Sequence, residues 1–312
     1  MPEKILIIKH GALGDWITAT GAYKLIRERH PTAHITLLTQ STFVNFAKET
    51  GWFNATWIDN RDSFFSLKTW RVIWKIKGAQ FNIVYDIQCS SRTEIYRRLL
   101  QRKKMVWHAR TEDSEENYQG LPTPHILVRI ARRIAATGIS EFPMPDIGWL
   151  KADISKFHLP EKYVLVIPGC SKIHAAARRW TAEGYAAFIE AMFQQGLICV
   201  IIGTKEDQDI IDPIAALTKK YEPINLINQC SLAQVAELSR NALAAFGSDT
   251  GTMHIAGLCC PCLSLFSNFA NPETNKSGGK KVYTIQVPDL KKLDAKVVIG
   301  NFNQILGKKC VF

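Results

Sequence analysis

Short apolar runs alternate with stretches of helical periodicity along most of the chain. The first half opens with the run KILIIK, a glycine loop, a helix predicted over residues 15–30 and a second apolar run, HITLLTQ. The second half repeats the alternation with the runs YVLVIPG, LICVIIG, INLIN, LAAFGSD and PCLSLFS. Buried strands separated by helices are typical of βαβ units, in which each helix crosses between parallel strands. The pattern predicts an α/β protein built on parallel sheets.

The chain is long enough for two hydrophobic cores, since 312 residues exceed the usual size of a single domain. Prolines and glycines interrupt the periodicity between residues 138 and 160, which marks a linker. We therefore predict two doubly wound domains, residues 1–155 and 156–312, with the last helix able to pack back on the first domain. Doubly wound folds bind their ligands at the carboxyl ends of the strands.

A glycine loop, G-A-L-G-D at residues 11–15, follows the first strand and opens the first helix. Alone it is weak evidence, because Rossmann-like folds of many functions carry such a loop. The third glycine of the dinucleotide fingerprint is missing and no acid ends the second strand, so a nicotinamide-dependent dehydrogenase is disfavoured. Asp15 has two possible roles: it complements the helix macrodipole, or it projects into the ligand site as a general base.

Two loops of the second half suit a bound diphosphate. In S-D-T-G-T-M-H at residues 248–254, a strand end meets a helix start, where unpaired N–H groups bind phosphate and threonine hydroxyls add donors. The other loop runs from P-G-C-S at residue 168 to R-R-W at residue 178, and its two arginines can offset diphosphate charge. Each feature also has a structural explanation: helix capping by Asp249 and Thr250, packing of His254, and a solvated arginine pair.

Positive charge is concentrated in residues 61–110, which hold twelve Lys and Arg against three acids out of a net charge of +11 for the chain. Trp70, Trp74 and Trp107 lie among these basic residues. Basic residues beside interfacial aromatics suit an anionic membrane surface, and a solvated face is the alternative. Nucleic acid ranks lower as a partner, since no helix-turn-helix, zinc-finger or RNP signature accompanies the charge.

Eight cysteines are scattered through the sequence, several within apolar runs, and we predict that they are reduced and buried. The cluster of Cys259, Cys260 and Cys262 lacks a second Cys or His pair at zinc-site spacing, so no metal site is predicted. No run of about 18 apolar residues is present to span a bilayer, and the N-terminus has the pattern of a strand rather than of a signal peptide. We therefore expect a cytoplasmic protein.

Four motifs stand in the order and spacing of one family. They are G-A-L-G-D after the first strand, P-G-C-S with R-R-W, G-T-K-E after LICVIIG, and S-D-T-G-T-M-H near the end. From residue 5 to about residue 266, the sequence resembles glycosyltransferase family 9, the ADP-heptose heptosyltransferases. The resemblance implies the GT-B fold, in which two Rossmann-like doubly wound domains face a cleft. It also implies an N-terminal domain that binds the acceptor and a C-terminal domain that binds the nucleotide-sugar.

The resemblance further implies roles for individual residues. Asp15 matches the family's catalytic base, and Gly11 and Gly14 match its loop. Gln88 and Arg92, in the pattern D-x-Q-x-x-x-R, match the acceptor-side segment. The residues implied to bind the donor nucleotide are Ser171, Arg178, Arg179, Glu206, Asp249, Thr250, Gly251, Thr252 and His254. For the ribose contact, the spacing leaves both Lys205 and Glu206 open.

Two segments depart from the family pattern. Residues 174–179 are rich in alanine where many relatives carry proline or further polar residues, and residues 268–273 replace the usual glycine-proline loop. Both lie where the donor and its sugar are expected, so the transferred sugar stays open. No D-x-D motif ends a strand, because Asp207 and Asp209 fall at a predicted helix start. We therefore expect a metal-independent mechanism with no cofactor.

These expectations describe an inverting glycosyltransferase that moves a sugar, heptose from ADP-heptose by the resemblance, to a lipopolysaccharide-type glycolipid. The protein is expected to work peripherally at the cytoplasmic face of the inner membrane and to bind no nucleic acid. Two alternatives stay open: a non-catalytic protein that binds sugar nucleotides, and a sugar-nucleotide epimerase with the same cleft. Asp15 argues against the first alternative, and the second needs further acid and base groups in the cleft.

Overall fold

The computed structural model describes residues 2–109, 125–135, 137–170 and 175–307. The chain divides into two units, Met1–Trp149 and Leu150–Phe312. This division falls within the interval of residues 138–160, where proline and glycine interrupt the sequence pattern. Each unit is built on one sheet of parallel strands.

The first unit carries a sheet of order β3-β2-β1-β4-β5. In chain order its elements are β1 (Lys4–Ile8), α1 (Leu13–Thr18), α2 (Thr20–Arg29), β2 (His34–Thr39), a 3₁₀ turn (Ser41–Phe43), α3 (Val44–Thr50), β3 (Ala55–Ile58), α4 (Leu67–Ala79), β4 (Ile83–Asp86), α5 (Ser91–Leu100), β5 (Val106–His108) and α6 (Ile126–Ala135). Residues 5–8 of the central strand β1 are fully buried, which accounts for an apolar run without alternation. The strand order reverses between β1 and β4, so their carboxyl ends flank the crevice where such sheets bind ligands.

The helix predicted over residues 15–30 is two helices instead, because α1 ends at Thr18 and α2 begins at Thr20. The Thr18 hydroxyl donates to the Gly14 carbonyl at 2.7 Å, and the Thr20 hydroxyl donates to the Ile17 carbonyl at 2.7 Å. Hydroxyls that bond back to the preceding turn compete with main-chain hydrogen bonds and bend helices. The prediction is wrong here because the spacing of apolar residues carries no record of such bonds.

The second unit carries a sheet of order β11-β10-β9-β6-β7-β8. Its helices and strands are β6 (Tyr163–Ile167), α7 (Ala175–Arg178), α8 (Ala182–Gln194), β7 (Ile198–Ile201), α9 (Gln208–Leu217), β8 (Ile224–Asn225), α10 (Leu232–Asn241), β9 (Ala244–Ser248), α11 (Gly251–Cys259), β10 (Cys262–Phe266), α12 (Pro272–Asn275), β11 (Val282–Gln286) and α13 (Ala295–Ile305). Its 3₁₀ turns are Ser155–Phe157, Lys205–Asp207, Lys219–Tyr221 and Leu290–Lys292. The order reverses between β6 and β9, which makes their carboxyl ends the expected ligand crevice of this unit.

Three edge strands, β3, β5 and β11, are absent from the sequence prediction. The residues of β3 and β11 are only partly buried, so neither strand forms the continuous apolar run that identifies a central strand. All strand pairs in both sheets are parallel, and helices follow most of the strands. The predicted α/β class with two doubly wound sheets is confirmed.

Aromatic rings fill the core of the second unit. The ring centroid of Phe188 lies 4.3 Å from that of Phe246 and 4.9 Å from that of Phe302. Phe302 belongs to α13, the last helix, which also buries Val298 in the same core. This helix, expected as a candidate to pack on the first domain, is thus part of the core of the second unit.

Gly247 in β9 lies directly against the main chain of β6. A Cβ atom at this position would lie 2.0 Å from the carbonyl oxygen of Ile167 in β6. No side chain larger than hydrogen fits at that distance unless one of the two strands moves. A closely packed core resists such a movement of the backbone. The contact between Gly247 and Ile167 brings the ends of β6 and β9 close together, and the crevice of this unit lies there.

We expect Gly247→Ala to lower the free energy of unfolding by about 1–3 kcal/mol, because the added methyl group overpacks the contact between β6 and β9. Gly78→Ala is the matched control: a Cβ atom at Gly78 meets nothing within 4 Å, and alanine in a helix is about 0.5–1 kcal/mol more favourable than glycine. Urea denaturation of both variants measures the two changes. Equal effects at the two positions would contradict the packing argument.

Candidate active site

Two glutamine side chains accept hydrogen bonds from the main chain of the glycine loop in the first unit. The main-chain N–H of Gly11 donates to Gln40 Oε1 at 3.0 Å, and that of His10 donates to Gln88 Oε1 at 3.1 Å. Gly11 has a φ of 110°, and a Cβ atom there would lie 2.7 Å from Asp15 Oδ2. Glycine is therefore required at residue 11, both by the backbone conformation and by the side chain of Asp15.

Asp15 lies on the first turn of α1 and is exposed. Its Oδ2 accepts a hydrogen bond from the N–H of Ala12 at 3.2 Å, which ties the carboxyl group to the loop. The neighbouring Trp16 is fully buried, with its ring 5.3 Å from Tyr23 and 5.8 Å from Phe43, so the start of α1 is anchored in the core. One carboxyl oxygen thus stabilises the loop and the residue is exposed, an arrangement compatible with both roles considered for Asp15.

The two residues predicted to contact the acceptor make intramolecular contacts. Gln88 supports the glycine loop through His10, as described above. Arg92 donates from Nε and Nη2 to the carboxylate of Asp59 at 3.1 and 2.9 Å, and from Nη1 to the Asp62 carbonyl at 2.7 Å. Its Nη2 also donates to the hydroxyl of Thr69 at 3.1 Å. The guanidinium is therefore engaged in joining α5 to the segment after β3.

Asp59 is the buried centre of this network, and sequence reasoning missed it. Besides Arg92, the hydroxyl of Tyr96 donates to Asp59 Oδ2 at 2.7 Å, and His10 Nε2 lies 3.1 Å from the same oxygen. Burial alone raises the pKa of a carboxyl group, but the contacts from His10, Arg92 and Tyr96 outweigh it and hold the pKa of Asp59 well below its usual range. A single acid after a weak edge strand offers no motif by which the sequence could have revealed it.

Further charged residues lie beneath the glycine loop. Lys9 directly follows β1 and is buried; burial lowers its pKa, against the opposing effect of Asp15. Asp86 ends β4, and burial raises its pKa although Cys89 donates its N–H to Asp86 Oδ1 at 2.8 Å. Arg133 of α6 donates to the carbonyl of Ile87 at 2.7 Å. The ends of β1 and β4 therefore form a charged crevice, and its local signals are the lysine that ends an otherwise apolar run and the Asp of the D-x-Q-x-x-x-R pattern.

In the second unit the structure brings together two residues that the sequence placed in separate motifs. Arg178 Nη2 donates to the Asp249 carboxylate at 2.6 Å and to the Asp249 carbonyl at 2.8 Å. Both side chains are largely but not completely buried. Asp249 directly follows β9, so this ion pair lies at the β6–β9 crevice.

The N-terminus of α11 adjoins the same pair. Met253 and His254 both donate their N–H groups to the carbonyl of Thr250, the residue before the helix. The side chain of Thr250 makes no capping hydrogen bond, and the first N–H groups of a helix, here those of Gly251 and Thr252, have no acceptor within it. His254 is half-buried on the first turn, and its carbonyl accepts from the Ser277 hydroxyl at 3.0 Å. The helix start thus offers main-chain donors beside a cation.

Arg179 and Glu206 occupy the neighbouring edge of the crevice. Arg179 forms an ion pair with Asp209 and lies 3.7 Å from Asp207 Oδ1, so it joins the start of α9 rather than the Arg178–Asp249 pair. Glu206 is exposed in the 3₁₀ turn after β7, as is Lys205, and both remain candidates for the ribose contact. Ser171 lies outside the described residues.

The loop after β6 is positioned by Asp207. Its Oδ2 accepts from the N–H and the hydroxyl of Thr204, both at 2.9 Å. A Cβ atom at Gly169 would lie 2.4 Å from the carboxyl carbon of Asp207, so the P-G-C segment needs glycine to pack there. Asp207, expected at a helix start, therefore acts as a packing and capping residue.

The structure gives the cysteine cluster the environment of inert thiols. Cys259, Cys260 and Cys262 are free, and burial raises the pKa of Cys259 to about 11 and that of Cys262 to about 12. Thiolate is the form that binds metals, so these groups are poor ligands at neutral pH. Among the residues that the structure describes, no three His, Cys, Asp or Glu side chains are grouped to hold a metal ion.

A sequence profile named "Glycosyltransferase family 9 (heptosyltransferase)" matches residues 70–296, well over half of the chain. The chain belongs to glycosyltransferase family 9. The family predicted from the four motifs is confirmed, and the matched region includes all of the loops in the second unit that were predicted to bind the donor.

One curated relative of this family 9 protein is similar over a short segment. Lipooligosaccharide heptosyltransferase 2 of Haemophilus ducreyi is 34% identical over 84 residues, which amount to 26% of this chain and 24% of the relative. The chain thus matches about a quarter of the curated relative's length.

Solved structures share the fold of this family 9 protein along nearly its whole length. The glycosyltransferase family 9 protein of Veillonella parvula has a TM-score of 0.76 at 15% identity and covers 97% of both chains. The E. coli heptosyltransferase WaaC with ADP has a TM-score of 0.75 at 15% identity and covers 97% of this chain and 99% of that one. At such identities the likeness concerns the fold alone, and it confirms the predicted GT-B class.

We expect Asp59→Asn to destabilise the first unit by about 3–5 kcal/mol at pH 7, because the change leaves Arg92 buried without its charged partner. The depressed pKa means that Asp59 stabilises the folded state fully above its ordinary pKa of about 3.9, and that this contribution is lost as the pH falls below that value. The difference between variant and wild type should therefore shrink below about pH 4.

Urea denaturation across pH 3–8 measures this difference. Asp212→Asn, which removes an exposed carboxylate from α9, is the control and should cost less than about 0.5 kcal/mol at any pH. A penalty for Asp59→Asn that is the same at pH 3 and pH 7 would show that the charge of Asp59 is not what stabilises the network.

Proposed function

We propose that this family 9 protein is an inverting glycosyltransferase that transfers heptose from ADP-heptose to a lipopolysaccharide core acceptor. Two relatives support the donor and the acceptor: one is a lipooligosaccharide heptosyltransferase and the other was solved with ADP. The observation that carries the proposal is the Arg178–Asp249 ion pair beside the open N-terminus of α11. It places a cation and main-chain donors in one crevice, which suits a diphosphate.

The donor diphosphate is proposed to bind at Thr250, Gly251 and Thr252. Their N–H and hydroxyl groups donate to phosphate oxygens, and the positive end of the α11 dipole adds to the attraction. Arg178 offsets the second negative charge, and Asp249 keeps the guanidinium in position through two hydrogen bonds. These groups are in place before the reaction, so they stabilise the charge that develops on the leaving nucleotide without reorganising.

Asp15 is proposed as the general base. It takes the proton from an acceptor hydroxyl while that oxygen attacks the anomeric carbon from the face opposite the nucleotide. The bond from the anomeric carbon to the diphosphate oxygen breaks, its electron pair leaves with ADP, and the configuration inverts. A positioned base contributes about 10²–10⁴-fold. The exposed carboxyl group, tethered by one oxygen to a loop that glycine keeps open, supports this role.

The acceptor is proposed to dock at the ends of β1 and β4 in the first unit. Lys9, Asp86 and Arg133 are buried beneath that crevice, and this polar character suits the sugars of a lipopolysaccharide core. Gln88 and Arg92 support this surface from within, since Gln88 holds the glycine loop and Arg92 holds Asp59. We propose that they position the loop rather than touch the acceptor.

A glycolipid acceptor implies work at a membrane surface. We propose that the protein is cytoplasmic and associates peripherally with the inner membrane, with the exposed basic residues of the segment 61–110 facing the anionic lipids. The positive charge of that segment supports the proposal.

Among nucleotides, we expect ADP to raise the melting temperature more than UDP, GDP or CDP does. A ligand at 100 times its Kd adds about 2.7 kcal/mol of apparent stability, which a thermal-shift screen detects. Arg178→Ala should weaken ADP binding by about 10- to 100-fold, since hydrogen bonds to charged groups contribute about 1.5–3 kcal/mol.

Lys219→Ala is the control for this screen, because it removes an exposed cation from the same unit. Each variant is compared with its own nucleotide-free melting temperature, so a change in basal stability does not enter. Equal shifts with all four nucleotides, or an ADP shift that Arg178→Ala leaves intact, would contradict the proposed donor site.

We expect Asp15→Asn to lower kcat by about 10²–10⁴-fold with donor affinity nearly unchanged, because the amide keeps the size of the side chain but cannot take the proton. Acceptor-dependent release of ADP measures turnover. If Asp15 serves the helix alone, the loss appears instead as about 0.3–1 kcal/mol of stability with near-normal turnover.

Asp294→Asn is the matched control, since Asp294 accepts from the N–H of Lys296 at the start of α13 and has only the capping role. Turnover of Asp15→Asn equal to that of this control would exclude the proposed base. It would also revive the non-catalytic alternative, whereas release of a changed sugar from the donor without acceptor would indicate the epimerase.

A further inference from the structure

Helix α4 has two apolar faces, and one of them is exposed to solvent. Its inward face buries Thr69, Ile73 and Ile76 against the first unit. On its outward side Leu67 is 75% exposed, Trp70 41% and Trp74 62%. The spacings of three and four residues align these three side chains along the helix.

Phe65 extends the outward face beyond the start of the helix. It is 99% exposed and lies two residues before Leu67. Single exposed apolar side chains are common on proteins, but a contiguous row of four large ones, two of them tryptophan, marks an interaction site. We call Phe65, Leu67, Trp70 and Trp74 the aromatic ridge.

Basic residues flank the aromatic ridge on both sides. At 100° per residue, Lys77 lies on one side of the ridge, and Lys68, Arg71 and Lys75 lie on the other. All four are exposed, the Lys77 ammonium lies 4.9 Å from the ring centre of Trp74, and α4 contains no acidic residue. Apolar rings between rows of cations match the order of acyl chains and anionic headgroups at a bilayer surface.

The adjacent helix α5 also exposes apolar and basic side chains. It packs beside α4 and exposes Ile95, Leu99 and Arg98, the last at 74% of its side chain. Glu94, the acid of this helix, is engaged by Arg97 and Arg98, so its charge is compensated within the surface. The positive, partly apolar character therefore extends over two helices.

We propose that α4 and Phe65 form an interfacial anchor, in which the aromatic ridge inserts among the lipids of an anionic bilayer and the flanking cations bind the headgroups. The inference rests on the proposed function only for the choice of a membrane as partner. In the described part of the chain, no helix is long and apolar enough to cross a membrane. The thirteen residues of α4 are about 20 Å long, which suits a helix that lies in the surface.

Co-sedimentation of the full chain with vesicles tests the anchor. The vesicles are pure phosphatidylcholine, or phosphatidylcholine with phosphatidylglycerol, and no nucleotide or acceptor is present. We expect binding to the anionic vesicles that falls with salt, and little binding to the neutral ones. Lys68→Gln with Arg71→Gln should weaken it by roughly fivefold per cation removed. Phe65→Ser with Trp74→Ser should weaken it at least tenfold, and with exposures of 99% and 62% these side chains add little to the packing of the first unit.

Phe193→Ser with Leu217→Ser is the matched control, because both side chains are exposed apolar residues of the second unit. Anionic binding that the Phe65 and Trp74 variant retains at the level of this control would overturn the proposal. A wild type that is a dimer in solution and becomes a monomer in that variant would overturn it too, since a second copy of the chain would then cover the ridge.

The ADP thermal shift of the same variant separates this inference from the proposed function. Lost vesicle binding with an intact ADP shift supports the anchor alone. Vesicle binding that depends on the ridge, in a protein that transfers no sugar, leaves the anchor standing and contradicts the proposed transfer.

Discussion

A parallel sheet delivers the loop after each of its strands to the same edge, and the candidate site depends on this constraint. In the first unit it sets the glycine loop of Gly11 beside the segment after β4. In the second unit it sets Asp249, at the end of β9, beside the segment that follows β6 and carries Arg178. Both sets of polar residues lie where the strand order reverses, although neither set is contiguous in the sequence.

The charged side chains buried beneath those loops need charged or hydrogen-bonding partners, because otherwise the loops could not keep their positions. In the first unit, the carboxylate of Asp59 compensates the charge of Arg92. It also accepts a hydrogen bond from Tyr96 and contacts His10. An uncompensated ion at this depth would cost several kcal/mol, and the network avoids that cost by joining the glycine loop, the end of β3 and α5. In the second unit, Asp207 has the comparable role of fixing the loop after β6 through Thr204 and Gly169.

The first unit carries the loops of the candidate site at the ends of its strands and an exposed row of apolar side chains on helix α4. The inward face of helix α4 is apolar, as is usual for a surface helix, and its Ile73 and Ile76 join the core. Its outward tryptophans are exposed within the part of the chain that the structure describes. Under the proposed transfer to a glycolipid, that surface has a physical reason, because an enzyme held at the bilayer meets a membrane-bound acceptor without a search through bulk solvent.

The sequence by itself determined the α/β class, the central strands, the linker interval and the loops that surround Asp15, Arg178 and Asp249, because local periodicity and turn chemistry are written in neighbouring residues. Only the tertiary structure decided what those side chains meet. Arg92 is engaged by Asp59, 33 residues away, and Arg178 by Asp249, 71 residues away. It also decided that Thr18 and Thr20 interrupt the first helix. Pairing, burial and exposure depend on how distant segments fold together, and no local pattern records them.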